Sequence, residues 1–170
     1  FLLLFLTNTS FADLQKDIAN KILETKTLSF NFIQKISEDE EFGNCVIKYP
    51  LLMKCNYKNE KQKSVISNGK TVAIIKKKYK KIYYYPIKAT PLFTILEKEK
   101  ILNWIQNNKP TKVNLNTIEF ELVGKKLERL KILFDKETLE LKGWETIDVY
   151  SNHVSFEIND LVINKIIQDD

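Results

Sequence analysis

Glycine and proline are scarce in this sequence, with four of each among 170 residues. Disordered segments are enriched in both, so their scarcity argues against a long flexible linker. Hydrophobic residues make up 44% of the chain, which is ample material for a core at a length typical of one domain. The composition therefore predicts a single globular unit.

Histidine is almost absent, and this argues against an enzyme. His153 is the only one, and it lies near a turn in a predicted strand, where a structural role is far commoner than general-base catalysis. The sequence also lacks a cluster of His, Cys and Asp at metal-ligand spacing and a glycine-rich phosphate loop. We therefore predict no catalytic activity and no cofactor.

Acidic residues are not lacking, although the net charge is +5. They are interspersed with the basic residues, so the excess positive charge favours nucleic acid only weakly. One stretch, KKKYKKIYYYP at residues 76–86, concentrates five lysines and four tyrosines. The simplest interpretation is a solvated hairpin in which alternate residues among 82–85 point inward. The alternative is a basic docking patch for an acidic surface of a partner.

The apolar run FLLLFL at residues 1–6 is too short to cross a membrane as a helix. Followed by TNTSFA, it is typical of a secretory signal peptide, with Ser10 and Ala12 flanking a cut before Asp13. We expect residues 1–12 to be part of a signal that starts upstream of this sequence, and residues 13–170 to be the mature domain. Export predicts a periplasmic protein, with secretion as the second possibility; a disordered apolar tail is the alternative to a signal. No cysteine follows the cut, so a lipid anchor is not expected.

The hydrophobic pattern predicts one helix followed mainly by strands. In DLQKDIANKILETK, apolar residues recur at helical spacing, which predicts an amphipathic helix that covers another surface. From residue 28 onward apolar residues alternate, and turn signals stand at Tyr49-Pro50 and Asn68-Gly69. Consecutive strands joined by short turns form an antiparallel meander.

One segment interrupts the strands. In TPLFTILEKEKILNWIQNN, residues 90–108, Thr90 and Pro91 are placed to open a helix whose first turns are apolar on nearly every side. A helix of this kind is either buried or covers an apolar surface. Strands then resume through residue 160, with turns at Gly124, residues 135–137 and residues 151–152.

The two cysteines lie at positions that a hairpin would pair. A turn centred on position 50 places Cys45 opposite Cys55, and cross-strand partners bring their Cβ atoms close to the separation that a disulfide needs. An oxidising compartment would preserve the bond. We therefore predict a Cys45–Cys55 disulfide, and the alternative is two free buried thiols.

Four segments, FNFIQ, GNCVIKYPLLMKCNY, VISNGKTVAII and ATPLFTIL, resemble the successive motifs of the LolA family of periplasmic lipoprotein carriers. The resemblance covers residues 30–96, and the later strands fit in pattern only. It implies an α+β fold, in which an incomplete, half-open antiparallel β-barrel carries a helical lid over an apolar cavity.

The resemblance also implies a function. Family members act as chaperones that shield the acyl chains of lipoproteins. They would receive them from an inner-membrane lipoprotein-releasing ABC transporter complex and surrender them to an acceptor lipoprotein of the outer membrane. The protein would work as a monomer, without a cofactor and without nucleic acid. The alternative within the same fold is a periplasmic lipid- or protein-binding module that does not transfer lipoproteins.

Individual residues take expected roles from the same resemblance. The family usually has arginine before the proline, where it holds the lid closed, whereas this chain has Tyr49 as the lid-control position, with Lys48 as a candidate substitute. Alternation alone does not distinguish an open cavity from a filled core. The residues expected to line the acyl-chain cavity are Phe30, Phe32, Ile47, Met53, Cys55 and Tyr57. The residues expected to form the lid are Leu14, Ile18, Ile22, Leu92, Phe93 and Leu96.

Overall fold

A computed structural model describes residues 11–123, 129–148 and 151–167, apart from the side chain of Phe11. These residues form three α-helices and eleven β-strands. The helices are α1 (Phe11–Glu24), α2 (Leu92–Leu96) and α3 (Lys98–Asn107). The strands are β1 (Thr27–Ile36), β2 (Asp39–Lys48), β3 (Leu52–Tyr57), β4 (Lys63–Asn68), β5 (Thr71–Lys76), β6 (Lys81–Pro86), β7 (Lys112–Val113), β8 (Thr117–Val123), β9 (Arg129–Asp135), β10 (Leu141–Ile147) and β11 (His153–Ile163).

Two sequence expectations fall wholly or mainly outside the described residues. The expected signal peptide at residues 1–12 is one of them, since only its last two positions, Phe11 and Ala12, are described, and they begin α1. The expected turn at Gly124 is the other. Both stay predictions.

The strands form one antiparallel sheet in which neighbours along the chain are mostly neighbours in space. Its order is β6-β5-β4-β3-β2-β1-β11-β10-β9-β8-β7. β11 pairs with β1, so a meander of β1–β6 and a meander of β7–β11 lie side by side. Over the described strands the two edges, β6 and β7, do not pair with each other. The predicted fold class, an α+β protein with an incomplete antiparallel barrel, is confirmed.

The segment predicted as one helix after Thr90 contains two. α2 ends at Leu96 because Glu97 adopts an extended conformation, with φ −90° and ψ 91°, and α3 begins at the next residue. The predicted cap is wrong, since the Thr90 hydroxyl donates a 2.8 Å hydrogen bond back to the carbonyl of Ile87. Pro91 precedes the first helical residue instead of opening the helix. The break redirects the chain so that α3 packs against α1.

The apolar core lies on one face of this curved sheet, which we call the concave face. In β1, for example, Leu28, Phe30 and Phe32 are buried on it, because successive side chains of a strand point to opposite faces. Gly43 allows β2 to pass beneath the ring of Phe32: a Cβ at position 43 would lie 2.5 Å from that ring and 2.2 Å from the carbonyl oxygen of Asn56. Glycine is therefore the residue that fits at this crossing.

The predicted disulfide is confirmed. Cys45 of β2 faces Cys55 of β3 and the two are bonded, with their Cα atoms 4.1 Å apart. Register follows from the turn of residues 49–51, which pairs Lys48 with Leu52. Both cysteines are buried on the concave face.

The lysine- and tyrosine-rich stretch bends where the sequence indicates. A 3₁₀ turn at Lys77–Tyr79, followed by Lys80 in the left-handed conformation (φ 52°), connects β5 to β6. Within β6, Tyr83 and Tyr85 pair with residues of the concave side of β5. They nevertheless remain exposed, as does every residue of β6.

Candidate functional site

The six residues predicted to line a cavity share the concave face of β1, β2 and β3. Strand register brings them side by side, since Phe30 pairs with Cys45, Cys45 with Cys55, and Ile47 with Met53. Five of the six are buried, and Tyr57 is half-buried. The structure therefore places all six in one contiguous apolar patch.

The half of the concave face that β8–β11 form is equally apolar, although no residue of it was predicted as part of the site. Trp144 stacks on Phe156 with ring centroids 4.1 Å apart, and Phe156 stacks on Phe32 at 4.6 Å. Phe120 and Phe134 continue the patch toward the far edge and are fully buried. Alternation in TIEFELV and RLKILFD marks this face in the sequence, but the stacking across β11 and β1 joins residues more than 100 positions apart.

The three helices cover this face. Of the predicted lid residues, Ile18 of α1 and Leu96 of α2 are almost completely buried, and the other four are half-buried against the same core. Ile105 of α3, which was not among the predicted residues, is buried as well. The space left beneath α1 and α3, beside Leu28 and Tyr49, measures about 30 Å³. A space of this size holds about two water molecules. In this conformation the concave face is filled by helix side chains.

Two side chains tie α1 to α3, because one side chain of each helix caps the C-terminal end of the other helix. The Lys98 ammonium, at the start of α3, donates to the carbonyl oxygens of Leu23 and Thr25 at the end of α1, at 2.5 and 2.7 Å. Gln15, in the first turns of α1, donates to the carbonyl oxygens of Ile105 and Asn108 at the end of α3, at 2.8 and 2.6 Å. Terminal carbonyls of a helix have no partner within the helix, and a cation is favourable there. The antiparallel pair α1–α3 is thereby held as one unit.

We expect Lys98→Met to loosen this pair while keeping the apolar stem of the side chain. Loss of two charge-assisted hydrogen bonds at a partly exposed helix end should weaken closure by about 1 kcal/mol. Hydrogen exchange of the α1 and α3 amides should then be about fivefold faster, as mass spectrometry can measure. Lys16→Met removes the same charge from an exposed position on α1 and should leave the exchange unchanged. Equal exchange rates in the two variants would contradict a latch at Lys98.

Tyr49, the predicted lid-control residue, lines the small pocket together with Ile22 and Ile101. Burial raises the pKa of its phenol. The turn it belongs to also contacts the lid through its backbone, because the Leu51 N–H donates to the carbonyl oxygen of Leu96 at 3.0 Å. Ser67 holds the following peptide group by donating to the carbonyl oxygen of Leu51 at 2.6 Å. A backbone amide of this turn thus bonds the last residue of α2.

A polar cluster at the far end of β1–β4 was missed from the sequence. Tyr57 donates to the side-chain oxygen of Gln34 at 2.6 Å. Lys63 forms an ion pair with Glu41, and its ammonium lies 3.7 Å from the centre of the Tyr57 ring. Burial lowers the pKa of Lys63, against the opposing effect of Glu41, and burial raises the pKa of Tyr57. The acidic residues 39–41 begin β2, and the half-buried Glu41 is the one that takes part in this cluster.

The described parts of the chain offer few other sites. Within them, no three His, Cys, Asp or Glu side chains come together as a potential metal site. His153 is exposed at the start of β11, 3.3 Å from the carboxylate of Glu145. No described helix has the length and apolarity to span a bilayer.

Comparison with known proteins points to one family. A model of the family "Outer membrane lipoprotein carrier protein LolA" matches residues 24–170. An outer-membrane lipoprotein carrier protein from Pasteurella multocida (strain Pm70) is 24% identical over 157 residues, covering 86% of this chain and 76% of that protein. The crystal structure of an uncharacterized conserved protein from Thermus thermophilus has a TM-score of 0.54 at 9% identity, covering 93% of this chain and 90% of that one. At this identity the structural likeness concerns the fold alone.

Proposed function

Since the chain belongs to the LolA family of outer membrane lipoprotein carrier proteins, we propose that it is a periplasmic carrier that shields the acyl chains of lipoproteins. It receives them from an inner-membrane ABC transporter complex and delivers them to an acceptor lipoprotein at the outer membrane. The family consists of carriers rather than enzymes. We further propose that residues 1–12 belong to the export signal and residues 13–170 to the carrier domain.

One observation carries this proposal: a continuous apolar concave face is covered by helices that polar tethers hold at their ends. Three acyl chains exposed to water would cost on the order of 30 kcal/mol, at about 0.8 kcal/mol per CH₂ group. A lipoprotein in transit therefore needs an apolar surface of comparable extent. The concave face is apolar from β5 across to β8.

The filled face sets how cargo enters. The pocket beneath α1 and α3 measures about 30 Å³, so no acyl chain fits there unless the helices move away. Acyl chains would then replace Ile18, Leu96 and Ile105 against the same aromatic patch. Apolar acyl chains would replace apolar side chains, so this exchange itself costs little free energy. Opening of the helices is opposed mainly by the helix-end hydrogen bonds of Lys98, Gln15 and Leu51. Bonds of this kind contribute about 1 kcal/mol each, which partner proteins at a membrane can overcome.

The test is to identify what the protein carries after export. Protein purified from the periplasm of cells should contain bound triacylated lipoprotein by mass spectrometry, and the same chain produced in the cytoplasm should contain none. Bound lipid of another class, or a protein without acyl chains, would instead indicate a binding module that does not transfer lipoproteins. Protein that is empty from both compartments would contradict both functions.

A further inference from the structure

The two edges of the sheet differ in a way that the carrier function does not require. At one edge, β7 has only two residues, Lys112–Val113. At the other, β6 has six, and β5 is the one strand it pairs with among the described strands. Edge strands expose unpaired backbone donors and acceptors, and natural sheets usually shorten, cover or charge them. The β7 edge is shortened, whereas the β6 edge is long.

Register identifies the backbone groups that β6 offers. The Ile87 N–H donates to the carbonyl oxygen of Lys70 at 3.0 Å, which fixes the alternation of hydrogen-bonded pairs between β5 and β6. Tyr83 and Tyr85 therefore bond to β5, whereas the N–H and C=O groups of Ile82 and Tyr84 point to the open edge. Pro86 ends this row because it has no N–H.

The side chains of the strand are apolar and accessible on both faces. Ile82 is 50% exposed, Tyr83 39%, Tyr84 67% and Tyr85 44%. A charge inside the strand would protect such an edge from pairing, but positions 82–85 contain none. The lysines stand toward the ends instead: in the turn before β6, at Lys81 as the first residue of β6, and at Lys88 after it.

Charge selects the kind of partner. Between residues 76 and 88 there are six lysines and no carboxylate. Lys78 lies 3.8 Å from Glu60, and Lys76 lies over the ring of Tyr83 at 5.4 Å. A strand added here would have its ends among ammonium groups, which attract aspartate and glutamate and repel another basic segment.

We propose that β6 is a docking edge that binds an extended acidic peptide segment of a partner protein by β-strand addition. Ile82 and Tyr84 supply the main-chain hydrogen bonds, the four exposed side chains supply apolar contact, and the flanking lysines pair with acidic residues of the segment. Pairing with β6 of a second copy would bring the two lysine sets together. A membrane surface would leave the outward backbone groups without partners at apolar depth. The docking edge contains none of the six predicted cavity residues, so peptide binding at this edge does not require bound lipoprotein.

The test uses a random dodecapeptide phage library selected on the folded protein, followed by affinity measurement on synthetic copies of the enriched peptides. Enriched sequences should combine alternating β-forming residues with Asp or Glu at the ends. Tyr84→Pro removes one outward N–H without removing a bond to β5, and it should weaken binding at least tenfold. Tyr84→Val keeps the N–H and the extended preference, and should weaken binding less than threefold.

A second variant tests the charges. Replacing Lys77, Lys78, Lys80 and Lys81 together by glutamine leaves the strand intact and should lower affinity about tenfold at low salt, with little difference at high salt.

Failure to enrich acidic peptides, or equal binding by Tyr84→Pro and Tyr84→Val, would overturn the proposal. Binding to vesicles of 30% phosphatidylglycerol and 70% phosphatidylethanolamine with no peptide binding would assign the edge to a membrane. Dimerisation lost in Tyr84→Pro, again with no peptide binding, would assign it to a second copy.

Discussion

Met53→Glu should abolish the copurification of lipoprotein from the periplasm. Met53 is 5% exposed on the concave face, between Ile47 of β2 and Ser67 of β4. A carboxylate there would face acyl chains, and burying it unpaired costs several kcal/mol. Because helix side chains already fill this face, the empty protein should also lose about 3 kcal/mol of unfolding free energy, measured by urea denaturation.

Two further variants separate loss of binding from loss of folding. Leu52→Glu makes the same chemical change one residue earlier, on the outward and exposed face of β3, and should load cargo normally. Met53→Gln is neutral, so it should fold and yet carry less lipoprotein than the wild type. Normal loading of Met53→Glu would show that this position does not line the cargo surface.

Local pattern was sufficient for much of the fold. Alternation at Phe30 and Phe32, with turn signals at Tyr49-Pro50 and Asn68-Gly69, predicts the meander of β1–β5, because a period of two fixes which face is buried. The order of β1–β6 then follows from short turns. Pairing of β1 with β11 was not predictable in the same way, since no local signal specifies a partner more than 100 residues away.

The errors lie in the segment predicted as one helix, at its start and at its break. Thr90 precedes proline at an apparent helix start, yet its hydroxyl bonds backwards to Ile87. Glu97 carries no intrinsic break signal, and the helix breaks there so that the next residue, Lys98, reaches the end of α1. The Thr90 bond is local, whereas the contact that Lys98 makes joins segments 73 to 75 positions apart.

The candidate site also has features that the sequence predicts and features that depend on distant segments. The apolar pattern of the concave face follows from periodicity and from the family resemblance. Phe30, Phe32, Ile47, Met53, Cys55 and Tyr57 share that face, and their contact with acyl chains stays a prediction. Whether that face is open or filled depends on the volumes of side chains from three helices, which periodicity does not encode. The tethers likewise join residues 73 to 93 positions apart, such as Lys98 with Thr25 and Gln15 with Asn108.

Reduction of the Cys45–Cys55 disulfide should lower the free energy of unfolding by about 3 kcal/mol. The bond joins residues separated by 10 positions, and in the chain-entropy model a loop of this size restricts the unfolded chain by about that amount. It also ties β2 to β3 at the centre of the concave face, so its loss should speed hydrogen exchange in both strands. Urea denaturation of the protein with and without reductant measures the difference.

A double variant provides the control, because Cys45→Ala with Cys55→Ala cannot form the bond and should not respond to reductant. Its free energy of unfolding should lie below that of the reduced wild type, since two buried sulfur atoms are lost and small cavities remain.

Intact mass before and after alkylation establishes whether the two cysteines are bonded at the start. Two alkylatable thiols in freshly isolated, unreduced periplasmic protein would contradict the disulfide, and an unchanged unfolding curve on reduction would contradict its contribution to stability. Since both sulfur atoms are buried beneath the helices, reduction should also be faster in Lys98→Met, where the lid opens more often, than in Lys16→Met.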